Sequence, residues 1–294
     1  MSEPARQNGG ENGELVIEEK GGSLDLASLL GIVFGPAFVL IGQWLEGGDV
    51  RSLFQLSAAL IVVGATVAAC MVSFSPFYLK AAIFDLRKII TDDLPRPFDL
   101  VDRLATYAHV NKKDGGVALQ QFSRKETYPT LISGIKLIAN NAEREKIEAF
   151  FDRVLYERHQ NSSAGAEVFQ AAGGYLPTFG ILGAVLGLIH TMHNLADPSH
   201  VGEGIATAFV ATVYGVGFAN LVALPLARKM RTRAKAERLL DTIVVAGVLA
   251  IKDGMSASAV RSYLKEGATS SSANSRGSGA GKEHVGEDRR ARAA

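Results

Sequence analysis

AAGGYLPTFGILGAVLGLIHTMHNLADPSHVGEGIATAFVATVYGVGFANLVALPLA, residues 171–227, decides the fold of this chain. It is two apolar runs joined by a short polar link. No Asp, Glu, Lys or Arg occurs from Ala171 to Ala196, nor from Gly204 to Ala227. Each run has the roughly 20 apolar residues that a helix needs to cross a bilayer. A helix is the form required, because lipid offers no partner to free backbone N–H and C=O groups. Small or hydroxylated residues recur at helical spacing: Pro177, Ala184 and Thr191 in the first run, Ala208, Thr212, Gly215 and Ala219 in the second. Such stripes let helices approach closely or leave room for water.

Two further spans precede this pair. Residues 24–45 read as the first, with Asp25 at its entrance, a Gly31/Gly35 pair suited to close helix contact, and Trp44 at the far interface. Residues 52–79 carry no charge and read as the second, with Pro76 marking its end. Residues 80–170 differ in character. They hold 14 Lys+Arg against 13 Asp+Glu, and helical apolar periodicity recurs at 100–110 and 145–159. This stretch is expected to be a helical insert outside the membrane. The basic segment 228–241 should continue as a helix to about Lys252, with a second short helix near 256–266. The Gly- and charge-rich ends, 1–23 and 268–294, read as disordered tails. The expected fold class is therefore all-α: an integral membrane protein with four transmembrane helices and a helical cytoplasmic domain. The domains are expected at 24–79, 80–170, 171–227 and 228–267.

The two short links between spans contain a single cation, Arg51, whereas the insert and the C-terminal segment are rich in Lys and Arg. The positive-inside rule places both termini in the cytoplasm. A formal net charge of +1 gives no reason to expect nucleic acid. The one cysteine, Cys70, excludes an intrachain disulfide. No nucleophile–base pair is evident, so no enzyme, cofactor or metal is expected. His190 and His193 are spaced i, i+3, but no Cys, Asp or Glu shares their face. No span has an Asp, Glu, Lys or Arg in its interior, which makes the chain alone a poor ion carrier. It can supply walls, hydroxyls and carbonyls while a partner supplies a carboxylate.

The segments GGYLPTFGILGAVLGLIH at 173–190 and NLADPSHVGEGIATAFVATVYGVGFANLVALPLA at 194–227 closely resemble the MotA family, the inner-membrane stator subunit of the bacterial flagellar motor. The resemblance extends over roughly 24–266 and implies a bacterial inner-membrane protein. It implies a ring of five subunits around two MotB-like helices, each carrying an intramembrane aspartate. The flow of H⁺ or Na⁺ would drive rotation against the rotor protein FliG. Pro177 and Pro225 match the family prolines at the cytoplasmic ends of spans three and four, where a missing N–H can hinge a helix. Sodium-type members carry a threonine in both spans. Here Thr212 fills the fourth-span position, but Ala184 stands in the third, which favours protons. The family's rotor-contacting charges align near 111–121. Lys112 or Lys113 stands at the family's arginine and Gln120 where a glutamate is usual, so either a nearby acid such as Glu126 substitutes or the rotor contact is electrostatically altered. The TolQ/ExbB branch of the same superfamily is the alternative, disfavoured by four charge-free runs and an acidic start. A self-contained channel or transporter would show an intramembrane charge or an inverted repeat, and neither is evident.

Overall fold

The computed structural model describes residues 23–24, 26–92, 94–193 and 198–267, and these are almost entirely helical. The tails expected at 1–23 and 268–294 lie outside the described residues except for Ser23. So do Asp25 and the Asp197 of the third link. Helix α1 (Leu26–Leu45) has 20 residues, about 30 Å of rise. At its entrance Ser23–Leu24 (β1) pairs antiparallel with Thr91–Asp92 (β2), in the register Ser23↔Asp92 and Leu24↔Thr91.

The span expected over 52–79 is two helices. A 3₁₀ turn at Val50–Leu53 is capped by Asp49, whose carboxylate accepts from the Arg51 N–H at 2.9 Å. Helix α2 then runs over 56–73, with a π-helical stretch at Leu60–Gly64. Phe74 is extended, and α3 (Pro76–Ile90) begins at the proline. Pro76 ends one helix because the residue before a proline is driven out of the helical region, and it starts the next because N1 needs no N–H.

The insert folds as α4 (Pro97–Asp114), α5 (Pro129–Ala139) and α6 (Arg144–Asn161). Gly115, with φ 81°, closes α4 in the left-handed region that only glycine adopts freely. Helix α7 (Ala164–His193) runs 30 residues, starting inside the expected insert. Helix α8 (Pro198–Phe218) returns beside it, passes a π-helical turn at Ala219–Ala223 and continues as α9 (Leu224–Lys252). A last helix, α10, covers 257–267. The division at 170/171 and that at 227/228 therefore fall within continuous helices.

The insert and the C-terminal segment share one core. Leu104 and Tyr107 of α4, Leu131 and Ile135 of α5, and Phe151 of α6 pack with Val244, Val248 and Ile251 of α9. Gly134 and Gly247 allow this closeness, since a Cβ on either would meet Val248 or Leu104.

Among the described residues, three helical stretches are long and apolar enough to cross a membrane: Val50–Ser73, Arg144–His193 and Val201–Lys252, while Leu30–Leu45 is a shorter apolar helix. Large apolar side chains stand exposed along all of them, including Phe38, Trp44, Val72, Ile181, Met192 and Phe209. Gly31 meets no neighbour and Gly35 meets only Leu221, so the Gly31/Gly35 pair makes no tight helix crossing within the chain.

Candidate functional site

The hairpin of α7 and α8 is built backbone on backbone. A Cβ at Gly180 would lie 3.1 Å from the Gly215 Cα, and one at Gly187 would lie 2.9 Å from the Ala208 N. One at Gly183 would lie 2.7 Å from the Ala211 Cβ. Glycine is required here by the approach of a second backbone. These contacts fix an antiparallel register. Buried Thr191 belongs to the same seam, its hydroxyl donating to the Gly187 carbonyl at 3.0 Å.

The register places the candidate ion-path residues. Ala184 and Thr212 each follow the contacting pair Gly183/Ala211 by one position. In antiparallel helices a 100° step from a facing pair turns both residues toward the same edge of the hairpin. Helix α2 covers the other edge, where Ala58 and Val62 pack with Leu176, Val210 and Ala211. Among the described residues nothing closes the Ala184/Thr212 edge, in keeping with exposed Thr212 and half-buried Ala184. The Thr212 hydroxyl donates to the Ala208 carbonyl at 3.2 Å. Its oxygen lone pairs remain available as acceptors.

Pro177 is on the same face as Ala184, seven residues and about 10 Å toward the helix N-terminus. It sits inside α7 and withholds an N–H from the Gly173 carbonyl. Pro225 follows directly on the π-helical turn at Ala219–Ala223, at the level of Gly173. A π turn and a proline together mark a place where the hydrogen-bond ladder is already interrupted. Pro225 also lines a small apolar cavity of about 300 Å³ with Gly31, Asn220 and Leu221. The four candidates thus do not form one cluster: Ala184 and Thr212 share a level, Pro177 lies below them, and Pro225 lies at the base.

Tyr214 fixes the hairpin to the α1–α2 link. Its hydroxyl donates to the Leu53 carbonyl at 2.5 Å and accepts from the Gln55 N–H at 3.3 Å. The Gln55 Oε1 is buried without a hydrogen-bond partner among the described residues.

Of the rotor-contact candidates, Lys112 and Lys113 are exposed in the last turn of α4, and Gln120 is exposed after the following turn. Glu126 is not at the surface. Its side chain is buried, taking Arg103 at 3.0 Å, the Tyr107 hydroxyl at 2.9 Å and the N–H groups of Thr127 and Tyr128. Burial, then the Glu126 charge, pushes the Tyr107 phenol well up from its usual range. Of the two alternatives at Gln120, the structure gives the Glu126 carboxylate a different occupation, holding the 124–128 loop to α4.

A second buried acid escaped the sequence reading. Asp241 of α9 is fully buried and joins three elements of the helical base outside the apolar hairpin. Its Oδ1 accepts from the Tyr128 hydroxyl at 2.8 Å and the Thr130 hydroxyl at 2.6 Å, and its Oδ2 pairs with His159 Nε2 at 3.1 Å. Arg158 stands 3.5 Å away, donates to Thr130 at 2.7 Å and lies over the Tyr128 ring. Burial and the bond to Asp241 push the Tyr128 phenol far up. The available signal was an acid on the apolar stripe 241, 244, 248, 251.

A charge-free helical hairpin on a helical base, with a small-residue seam and one open polar edge, defines a membrane-embedded subunit completed by other chains. The model of the MotA/TolQ/ExbB proton channel family matches residues 123–242. The chemotaxis protein PomA of Vibrio alginolyticus is 30% identical over 242 residues, 82% of this chain and 94% of that one. The structure of MotAB from C. jejuni superposes with a TM-score of 0.76 at 24% identity, over 82% of this chain and 94% of that one. The flagellar MotAB stator complex from Bacillus subtilis superposes with a TM-score of 0.74 at 25% identity, over 80% and 93%. The chain belongs to the MotA family of flagellar-motor stator subunits.

Proposed function

We propose that this chain couples ion flow across the bacterial inner membrane to torque, with a single-span MotB-like partner supplying the intramembrane carboxylate. The observation that carries this reading is the open Ala184/Thr212 edge of a hairpin with no Asp, Glu, Lys or Arg from Gly204 to Ala227 or Ala171 to Ala196. A proton or cation crossing there needs a charge that this chain does not supply, because an unpaired charge in hydrocarbon is costly. A partner helix laid on that edge would bring its aspartate beside the Thr212 oxygen. Helix α1, about 30 Å long, serves as the fourth span, and both ends of the chain face the cytoplasm. Five copies form the ring, their outer apolar surfaces meeting lipid and each other. The cytoplasmic part meets the rotor protein FliG through the exposed Lys112, Lys113 and Gln120.

The ion is the proton. One threonine oxygen at 212 and a methyl at 184 leave a sodium ion short of the oxygens a hard cation needs, whereas a proton needs only a hydrogen-bonded chain to the carboxylate. The test is ion flux in proteoliposomes. Vesicles holding this chain alone should be tight to H⁺ and Na⁺. Vesicles holding the chain with its partner should leak protons, and a partner Asp→Asn change should abolish the leak. Flux through the chain alone contradicts the shared-carboxylate reading.

A further inference from the structure

Between α3, the end of α6 and the first half of α9 lies an open cleft of about 660 Å³. Its volume is within the range of sites that hold a peptide segment or small ligand. Phe77, Phe84 and Met230 form an apolar wall, and the two phenylalanines are 53% and 68% exposed. Lys88, Arg158 and Arg233 bring three cations to the rim. Two acids stand among them: Lys88 pairs with Asp85 at 3.1 Å and Arg233 with Glu237 at 3.3 Å. The third cation, Arg158, stands 3.5 Å from the buried Asp241, so the rim is polar with an acid beside each cation, and the wall is exposed hydrocarbon at Phe77 and Phe84.

The chain enters beside this cleft. β1 (Ser23–Leu24) pairs with β2 (Thr91–Asp92), and Ile89 and Leu94, two positions before and after β2, both line the cleft. The register is antiparallel, Leu24 opposite Thr91 and Ser23 opposite Asp92. Continuing it backward from Ser23 points the preceding residues toward Leu94 and Pro95, which are at the cleft's edge. Those residues are ENGELVIEEKGG, 11–22: an apolar triad, Leu15–Val16–Ile17, flanked by Glu11, Glu14, Glu18 and Glu19 with one cation, Lys20. An extended chain covers up to about 3.5 Å per residue, so Ile17 reaches about 20 Å from Ser23, enough to enter the cleft.

We infer that the acidic N-terminal segment of this same chain docks in the cleft, with Leu15–Ile17 on the Phe77/Phe84/Met230 wall and the flanking glutamates at the Lys88/Arg158/Arg233 rim. The apolar triad supplies most of the hold, because partly solvated ion pairs add little and are weakened by salt. The charges set direction and specificity. The docked segment ties the entrance of α1 to α3, α6 and α9, the joint where the membrane helices meet the cytoplasmic core.

The test is cysteine crosslinking of the full-length chain in native membranes, in a Cys70→Ala background. Val16→Cys combined with Phe84→Cys should form a disulfide within one chain. It should form about tenfold faster than Val16→Cys combined with Val117→Cys at the distal end, as expected when docking raises effective concentration. Glu18→Lys with Glu19→Lys should slow it, and an excess of a synthetic peptide of residues 11–22 should compete with it. Equal rates for the Phe84 and Val117 pairs would overturn the inference. So would disulfides that only join two chains, since the occupant would then be a neighbouring copy's tail. No reaction at Phe84 would mean that lipid or another surface fills the cleft. The readout is independent of motility and does not depend on the proposed ion coupling.

Discussion

Gly215→Ala is a single methyl placed where α7 and α8 touch through their backbones. The new Cβ would lie 2.7 Å from the Leu176 carbonyl oxygen, 2.9 Å from the Gly180 Cα and 3.3 Å from the Gly180 N. Carbon contacts are most favourable at about 3.5–4.0 Å, so the helices must part by roughly 0.5–1 Å. None of the three obstructing atoms is the end of a flexible side chain, and a close-packed seam has no free volume to absorb the shift. Overpacking of this kind costs about 1–3 kcal/mol, roughly a tenfold change in the folded population for each 1.4 kcal/mol. Gly217, two residues on in the same helix, meets nothing within 4 Å. Gly217→Ala should therefore be neutral, or stabilising by up to about 1 kcal/mol through helix propensity. The assay is paired thermal unfolding of the two variants in one detergent, together with the yield of the assembled complex. Gly215→Ala should melt well below the parent and assemble poorly, with Gly217→Ala at or above it. Equal melting of the two variants would refute the seam register on which the Ala184/Thr212 edge depends.

Other perturbations address separate parts of the molecule. Asp241→Asn removes the charge that gathers Tyr128, Thr130, Arg158 and His159. Because Arg158 and His159 keep some access to water, the loss should be about 2–3 kcal/mol, below the 3–5 kcal/mol of a fully buried pair, measured as faster proteolysis of the cytoplasmic part. Pro225→Leu restores an N–H beside the π-helical turn; the variant should insert and assemble normally but turn slowly in a bead assay, and failure to assemble would make the proline structural. Swimming speed of the parent should ignore external Na⁺ at fixed pH and collapse with a protonophore, and Ala184→Thr should be the single change that shifts speed toward Na⁺ dependence.

The helical hairpin was legible because hydrocarbon tolerates so few sequences and charge-free length is a local property. The seam was legible only in part: Ala208 and Gly215 of the second stripe lie on it, but in the first run Gly180, Gly183 and Gly187 form it, while Pro177 and Ala184 turn to the edge. The α2–α3 break was only half legible. Pro76 was read as a stop, yet a proline at N1 is equally a start, and Phe77–Ile90 carries enough periodic apolar side chains to use it. The two buried acids were hidden for a different reason. Glu126 and Asp241 look like surface charges until Arg103 and Tyr107, or Tyr128, Arg158 and His159, are brought to them from elements up to 113 positions away in sequence. Pro177 and Pro225 were visible, but their separation along the hairpin was not, because it follows from the interhelical register.

The central claim is that this chain generates torque with a partner's carboxylate, and rotation of tethered cells measures that most directly. In a strain lacking the chromosomal copy, cells should carry complete flagella that do not turn. Induction of the chain should restart rotation in discrete increments of speed as subunit complexes join the motor, and co-expression with a partner whose intramembrane Asp is changed to Asn should restore none. Rotation at full speed without the chain, or restart with the Asn partner, would contradict the account.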